Sequence, residues 1–459
     1  MPGNRWDLVE AREAAEAAAA TRVSVIVAHF EQQAELDRTL AALARQTHPT
    51  HLLEVIVVDD GSREPPLVPG GVRLLTQDNL GFRAGAARNL GARAAQGEIL
   101  CFLDADTAPE PDYVARMAAL PSVLPEAVVA GRRRHADFTG VGADAPVERA
   151  GPARELPEPA WLIDAYRASR NLLEADDRSY RFVIGAVFSC TRWFFDEMGG
   201  FDEDFRGYGG EDWEWAHRAW LAGAVFAHDP EAVAWHDGPD WAGRSADDAR
   251  RQEHKNRETL LLAQKIGVEG SRPHALATAA PDVVAVLRAA PSEAAAFVCV
   301  DSLLQQLPQA RVVVPAELHP LFSADPRVVA SPGGADRGRV RIELATAVHF
   351  AGPEREVPEV LERPERPGEP GSPAAPGAPQ KLQALQRLQG AVARVGIGTL
   401  GAVRIGPHVV VRSERALRRE ERWGDAAGWR TEEVDGGTVR AVPGDVSVAA
   451  HLGGWLTLD

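Results

Sequence analysis

The chain has 459 residues, too many for one ordinary hydrophobic core, so two domains are expected. Its formal charge of −16 comes with no basic run to neutralise phosphates, which argues against nucleic acid as a partner. Cys101, Cys190 and Cys299 follow no metal or redox spacing, and they read as reduced core thiols of a cytoplasmic protein.

Residues 1–20 read as a short N-terminal surface helix, its Ala-rich stretch too charged for a secretory signal. No apolar run reaches the ~20 residues that span a bilayer, so any membrane contact is expected to be peripheral. Val23–Ala28 is a β-branched apolar run, the pattern of a strand buried on both faces. Leu36, Leu40 and Leu43 then recur at helical spacing, and a second strand, Val55–Val58, runs into Asp59-Asp60-Gly61-Ser62. A third strand (Val72–Leu75) precedes a small-residue helix with Ala87, Leu90 and Ala94. The fourth, Ile99–Leu103, ends in Asp104-Ala105-Asp106. This rhythm predicts an α/β domain over residues 21–270, with a mostly parallel sheet and helices on both faces. Ligands of such sheets bind at the carboxyl ends of strands, where both acidic clusters lie.

Residues 271–459 predict a second α/β domain without catalytic motifs. Strand-like runs at Ala295–Val300, Arg311–Val314 and Arg327–Ala330 lack acidic ends, and the dense Pro, Gly and Glu of 362–380 read as a linker or loop. A helix around Leu382–Val392, a strand at Val409–Val411 and a basic helix ending near Trp423 follow. The order over 296–314 repeats that over 23–58, and Val409–Leu417 resembles Val187–Phe195, each a strand running into a helix. The second domain therefore reads either as a degenerate copy of the first or as an unrelated domain of the same rhythm.

Asp104 and Asp106, two residues apart, point the same way if the strand continues, and they repel each other unless a cation lies nearby. A hard divalent ion suits them, since it also binds the phosphates of a nucleotide diphosphate. The alternative is a solvated loop pair. Asp60 is placed to accept a hydrogen bond from a base N–H, although its segment also has turn composition. From Glu211 a helix is predicted, with Trp213, Ala216, His217 and Trp220 on one face, a Glu214–Arg218 pair, and Gly223 as the stop. Glu211 and Asp212 at its start either cap it or grip an acceptor sugar and take its proton. Ala232–His236 reads as a strand ending in histidine. Six of the chain's 11 tryptophans fall between Trp193 and Trp241, offering indole faces for sugar rings.

Together these features resemble family-2 glycosyltransferases of the GT-A fold. The resemblance rests on Val23–Phe30, Val55–Ser62, Asn79–Gly91, Phe102–Asp106 and Gly199–Gly223, and it covers about residues 20 to 260. The last segment is similar to the C-terminal module of β-1,4-galactosyltransferases, chondroitin polymerases and polypeptide N-acetylgalactosaminyltransferases. The resemblance implies a Rossmann-like GT-A catalytic domain in which Asp60 contacts the base and Arg88 or Asn89 lies near the nucleotide. Asp104 would touch the ribose or sugar, Asp106 and His236 would hold the metal, Glu211 would bind the acceptor, and Asp212 would be the base. Many members carry Pro-x-Tyr/Phe-Asn where this chain has Ala28-His-Phe-Glu31, which leaves Glu31 as a candidate donor contact. Retaining relatives tend to have Asn at the position of Asp212, which favours inversion here.

The expected activity is metal-dependent hexosyl transfer in polysaccharide biosynthesis, with Mn²⁺ (or Mg²⁺) as cofactor. The donor would be a nucleotide-diphosphate sugar, UDP-linked by preference, and the acceptor a hydroxyl of a glycan or glycoconjugate. Two rivals stand beside it. A nucleotidyltransferase would need a Gly-rich basic loop near the first strand, where this chain has His29-Phe-Glu-Gln-Gln33. A non-catalytic sugar-nucleotide-binding protein would dispense with Asp106, Asp212 or His236, all of which are present.

Overall fold

The computed structural model describes residues 3–207, 209–239, 248–276, 278, 280–330, 338–350, 388–424, 428–436 and 439–452. The chain divides into two compact units, Met1–Arg272 and Pro273–Asp459. The Pro/Gly-rich stretch 362–380 and the start of the helix expected from Leu382 lie outside the described residues.

In unit 1, β1 (Val23–His29), β2 (Leu53–Asp59), β3 (Arg73–Thr76) and β4 (Ile99–Asp104) pair in parallel. Helices α1 (Ala11–Ala18), α2 (Gln33–Leu43) and α3 (Ala84–Ala94) precede or connect them. Next come β5 (Thr107–Pro109), α4 (Tyr113–Val123), β6 (Ala127–Ala136), α5 (Val147–Ala153), β7 (Glu155–Leu156) and α6 (Ala160–Ala168). The unit closes with β8 (Val187–Thr191), α7 (Arg192–Glu197), α8 (Glu211–Leu221), β9 (Val225–Asp237) and α9 (Asp248–Lys265). The sheet order is β3-β2-β1-β4-β8-β6-β9-β5, with β7 on β6. β8 runs antiparallel to both its neighbours, so the parallel half gives way to a mixed one. The apolar runs of β1 and β4 are buried almost throughout, as strands covered on both faces require.

One face of this sheet carries an aromatic core. Phe102 and Phe188 stack at 4.7 Å, and Phe195, Phe201 and Trp215 close around them. Trp215, Trp220 and Trp235 are fully buried, so these three indoles are core rather than the sugar platforms expected from their clustering. Trp241 lies outside the described residues. Helix α8 buries Glu214, Trp215, Ala216, Ala219 and Trp220, while Trp213 stays half-exposed. Ala216, His217 and Trp220 of the expected face are buried; Trp213 is replaced on it by Trp215, which plugs the phenylalanine cluster. The N-terminal helix also differs from a free surface helix: Ala14 and Ala18 are buried where α1 lies against α4.

Unit 2 contains β10 (Val283–Leu287), α10 (Glu293–Gln306), β11 (Arg311–Val313), β12 (Val328–Val329), β13 (Val340–Leu344) and β14 (Val348–Phe350). After these come β15 (Ala402–Ile405), β16 (Val409–Ser413), the helix Glu414–Trp423, and β17 (Thr431–Val434). The run Ala295–Val300 is helical, not a strand. Ser292 accepts a hydrogen bond from Ala295 N and caps α10, and the true strand lies earlier, at β10.

The second sheet repeats the first strand by strand. Its order, β12-β11-β10-β13-β16-β15-β17, has the same directions as β3-β2-β1-β4-β8-β6-β9. The registers agree as well. Val23 lies beside Ile99 and Ile99 beside Thr191, just as Val283 lies beside Val340 and Val340 beside Ser413. Thr191 and Ser413 then cap equivalent helices by accepting bonds from Phe194 N and Ala416 N. At the same count beyond these matched pairs, Asp104 and Asp106 correspond to Ala345 and Ala347. The helix equivalent to α8 has no room, since only residues 424–430 separate Trp423 from β17.

The aromatic plug yields a stability test. Trp215→Ala should cost about 3–5 kcal/mol, read as a drop in the urea midpoint of unit 1. A loss below 1 kcal/mol would mean that Trp215 is not the keystone of this core.

Candidate active site

The carboxyl ends of β1, β2 and β4 meet at one edge of the sheet. Asp59 is fully buried; His29 Nδ1 donates to its Oδ1 at 3.0 Å, and Ser62 Oγ donates at 2.6 Å. His29 Nε2 accepts from Gln32 N, which fixes the neutral tautomer needed for the Asp59 bond. This network locks the loop that presents Asp60. Asp60 accepts from Gln77 Nε2 at 2.6 Å and from Arg83 N at 2.8 Å, so its carboxylate is held in one orientation. Gly61 adopts φ +79°, and a Cβ there would meet Asn79 N at 2.4 Å, so only glycine fits the turn. Glu31, itself at φ +54°, ties the β1 loop to the β2 loop through Arg63 N and Ser62 Oγ.

Asp106, in the turn between β4 and β5, comes together with His236 on β9. His236 Nε2 lies 3.5 Å from Asp106 Oδ2, and Nδ1 donates to the Gly238 carbonyl at 3.2 Å. An imidazole nitrogen and a carboxylate oxygen thus face one another at the strand ends. The donor set therefore fits a divalent transition metal. Gln32 Nε2 and Thr107 Oγ1 fix the Asp106 carboxylate from the other sides. Sequence reasoning missed His135, whose ring lies 4.8 Å from that of His236, tilted at 49°, and which shares the Gly238 carbonyl. Its partner strand, β9, is the only signal that could have found it. Among the described residues no group of three or more His, Cys, Asp or Glu forms a complete metal cage.

Arg88 joins the two halves of the site. It is buried, and its guanidinium donates to Asp104 Oδ1 at 2.7 Å and to Glu211 Oε1 at 2.9 Å, while lying 5.7 Å from the Phe201 ring. Burial opposes its charge, but the Asp104 and Glu211 carboxylates outweigh that and raise its pKa. Arg88 is thus a bridge between strand end and helix rather than a simple neighbour of the nucleotide. Asn89 points elsewhere. Its carboxamide brackets Phe201, donating to the carbonyl at 2.9 Å and accepting from the N–H at 2.8 Å. In that position Asn89 pins the loop before α8.

Glu211 and Asp212 open α8. Burial, and then the neighbouring Asp212 charge, push the Glu211 carboxyl up to about 7, against the pull of Arg88. Its second oxygen, Oε2, has no hydrogen-bond partner although it is buried. Asp212 accepts from Gly185 N at 3.0 Å and from Trp213 N at 2.8 Å, and burial raises its pKa as well. Gly185 was not foreseen. A Cβ at that position would meet Arg88 Nη1 at 3.0 Å, so the glycine lets the backbone reach both the arginine and Asp212. Tyr208, in the turn before α8, lies outside the described residues.

Residues 24–149 match the family model "Glycosyl transferase family 2", and residues 173–231 match "N-terminal domain of galactosyltransferase". The chain is 30% identical over 268 residues to a hyaluronan synthase of Pasteurella multocida, covering 53% of this chain and 27% of that protein. It is 32% identical over 222 residues to a validoxylamine A glucosyltransferase of Streptomyces hygroscopicus subsp. limoneus, covering 43% and 47%. The chain thus spans between a quarter and a half of the length of these relatives. A mannosyltransferase from Pyrobaculum calidifontis, solved with GDP-Man and Mn²⁺, aligns at 22% identity and a TM-score of 0.38 over 52% of this chain and 64% of that one. Among the described residues no helix is long and apolar enough to cross a membrane.

The bridge is testable by a double-mutant cycle. Arg88→Met should cost about 3–5 kcal/mol, because it strands two acidic groups beside Asp212. Glu211→Gln in the same chain should recover more than 1 kcal/mol of that loss in denaturant unfolding. Strict additivity would show that the two side chains do not interact.

Proposed function

Residues 24–149 belong to glycosyl transferase family 2, and on that premise we propose that the chain moves a hexose or N-acetylhexosamine from a nucleotide-diphosphate sugar to an acceptor hydroxyl of a glycan. The observation that carries the reading is the Arg88 bridge, which sets the acidic strand end of β4 beside the acidic start of α8. The strand end is suited to a donor and the helix start to an acceptor.

On the donor side, Asp60 is held ready to accept a base N–H, and Asp104 to receive a ribose or sugar hydroxyl. Glu31 and Asn89 act as positioning residues, one joining the β1 and β2 loops and the other pinning the Phe201 loop. Asp106 and His236 would hold Mn²⁺, or Mg²⁺ less well, since an imidazole ligand favours the later metal. Bound there, the ion would neutralise charge gathering on the departing diphosphate, whose oxygens would complete its coordination. UDP-linked sugars are the favoured donors.

Asp212 accepts the proton of the attacking hydroxyl. The Gly185 and Trp213 amides orient its carboxylate, and burial raises its basicity toward the working pH. The free Glu211 Oε2 is placed to take a hydrogen bond from the acceptor while Oε1 stays on Arg88. A base facing the acceptor across from the leaving group gives a single displacement with inversion. Unit 2 keeps the sheet but has alanines in place of the acids and lacks α8, so we assign it no transferase centre.

Three substitutions test these roles. Asp106→Ala in the full chain should abolish transfer and metal-dependent donor binding while the fold persists, and EDTA should do the same to the unmodified protein. Full transfer by Asp106→Ala would remove Asp106 from the proposed metal site. Asp212→Asn should lower turnover by about 10² or more with donor affinity nearly unchanged. Glu211→Gln should act mainly on acceptor KM. NMR of the product from an α-linked donor should show a β-linkage; an α-linkage would remove Asp212 from the role of base.

A further inference from the structure

On the β6–β9 side of unit 1, a cavity of about 470 Å³ lies away from the donor-side strand ends. A bulge creates it. Gly131 pairs with Asp229, but the next residue of β6, Arg132, pairs with Val233, so residues 230–232 of β9 loop out of the ladder. Helix α6 and the residues after it close the other side. Arg170, Asn171 and Leu172 all have positive φ, at 51°, 56° and 66°. Asn4 holds that turn by donating from Nδ2 to the Leu172 carbonyl.

The lining is chemically lopsided. Arg132, Arg133, Arg167 and Arg170 stand around the cavity, in a chain whose net charge is −16. Glu158 is the one acid on its wall and pairs with Arg132 at 2.6 Å. Arg167 and Arg170 pair with Asp164 and Glu174 outside it, in exposed contacts of the kind that contribute little and exchange readily. Part of the lining is aromatic: the Tyr166 and His228 rings stack in parallel at 3.6 Å. His228 Nδ1 donates to Asn171 Oδ1 at 3.0 Å, so Nε2 is left as an acceptor, and it has no hydrogen-bond partner. Burial and the nearby Arg132 hold this imidazole neutral. Guanidiniums select oxyanions, in bidentate fashion where the geometry allows. Tyr166, His228 and the apolar Leu162 line it as packed, largely buried side chains.

Two walls of the cavity lead back toward the site, β6 toward His236 and α6 toward the start of α8. Arg133 and His135 are two residues apart on β6 and share a sheet face, and the His135 ring is 4.8 Å from that of His236. Helix α6 is a common wall. Its opposite flank lines a second hollow with Phe182 and Trp213, the residue that follows Asp212. Asp60 and Asp104, by contrast, stand on β2 and β4.

We propose that this arginine-lined cavity binds an oxyanion-bearing sugar of the acceptor glycan, a carboxylate or sulfate carried near the reacting unit. The proposal rests on the transferase reading above and adds the acceptor's charge class to it. Calorimetric titration of the full chain tests it, using a hexuronate-containing oligosaccharide, a sulfated oligosaccharide, and the carboxyl-reduced or desulfated counterpart of each. At least one anionic form should bind about tenfold or more tighter than its neutral counterpart, and the arm that does so identifies the anion. Arg133→Gln with Arg167→Gln should erase that preference while leaving Mn²⁺-dependent binding of a nucleotide-sugar panel unchanged. Arg167 is largely exposed, so Arg167→Gln alone should reduce the preference without risk to folding. No preference in either arm, or a preference that survives the double substitution, overturns the proposal. Failure of the unsubstituted protein to bind any nucleotide sugar would instead strike at the transferase reading.

Discussion

The site depends on one buried cation. Arg88 sits on α3 between a half-buried acid at the end of β4 and a buried acid at the start of α8, and among the described residues the buried Glu211 carboxyl has its charge partner only in this guanidinium. Most of its surroundings serve its position. Phe201 lies under the guanidinium, Asn89 pins Phe201, and Gly185 keeps the facing backbone close without a side chain. Through that set of contacts, the parallel half of the sheet and the segment that matches the galactosyltransferase model form one acidic edge. The geometry also explains why Glu211 stays near neutrality in its proton affinity: it is paired on one oxygen only, buried, and next to a second acid.

The two units show what this fold needs and what its chemistry needs. Strand order, direction and register recur in both, together with a hydroxyl-capped helix after the antiparallel strand. Those features bury the apolar runs and satisfy the backbone. Ala345 and Ala347 stand where β4 has its acids, and among the described residues no helix corresponds to α8. Paired carboxylates at a sheet edge repel each other, so the sheet itself is packed no worse with alanine there.

Much of the first unit could be read locally. β-branched runs that stop at acids mark buried strands with ligand-facing ends, and Glu211 to Gly223 carries its own start and stop signals. Where reading failed, the deciding partner was distant or the pattern was ambiguous. Arg88 and Glu211 are 123 residues apart, so their pairing leaves no trace in spacing. Ala295–Val300 is a short apolar run that suits strand or helix equally, and the cap at Ser292 decides it. The tryptophans after Trp193 resemble a sugar platform in composition, yet packing around Phe188 and Phe226 takes Trp215 and Trp220 into the core. His135 and Gly185 join the site only through strand pairing and loop closure.

The central claim is that Asp212 is the base within a buried acid pair poised by Arg88. The most direct measurement is the pH profile of kcat for the unsubstituted chain and for Glu211→Gln. The pair carries one proton too many at low pH, so turnover should rise with pH through an apparent value of about 7, the range in which Glu211 titrates. Removing the neighbouring charge makes Asp212 easier to ionise, so the acid limb of Glu211→Gln should move to lower pH. A limb that stays in place in Glu211→Gln, or a flat profile between about pH 5.5 and 8, would contradict the account.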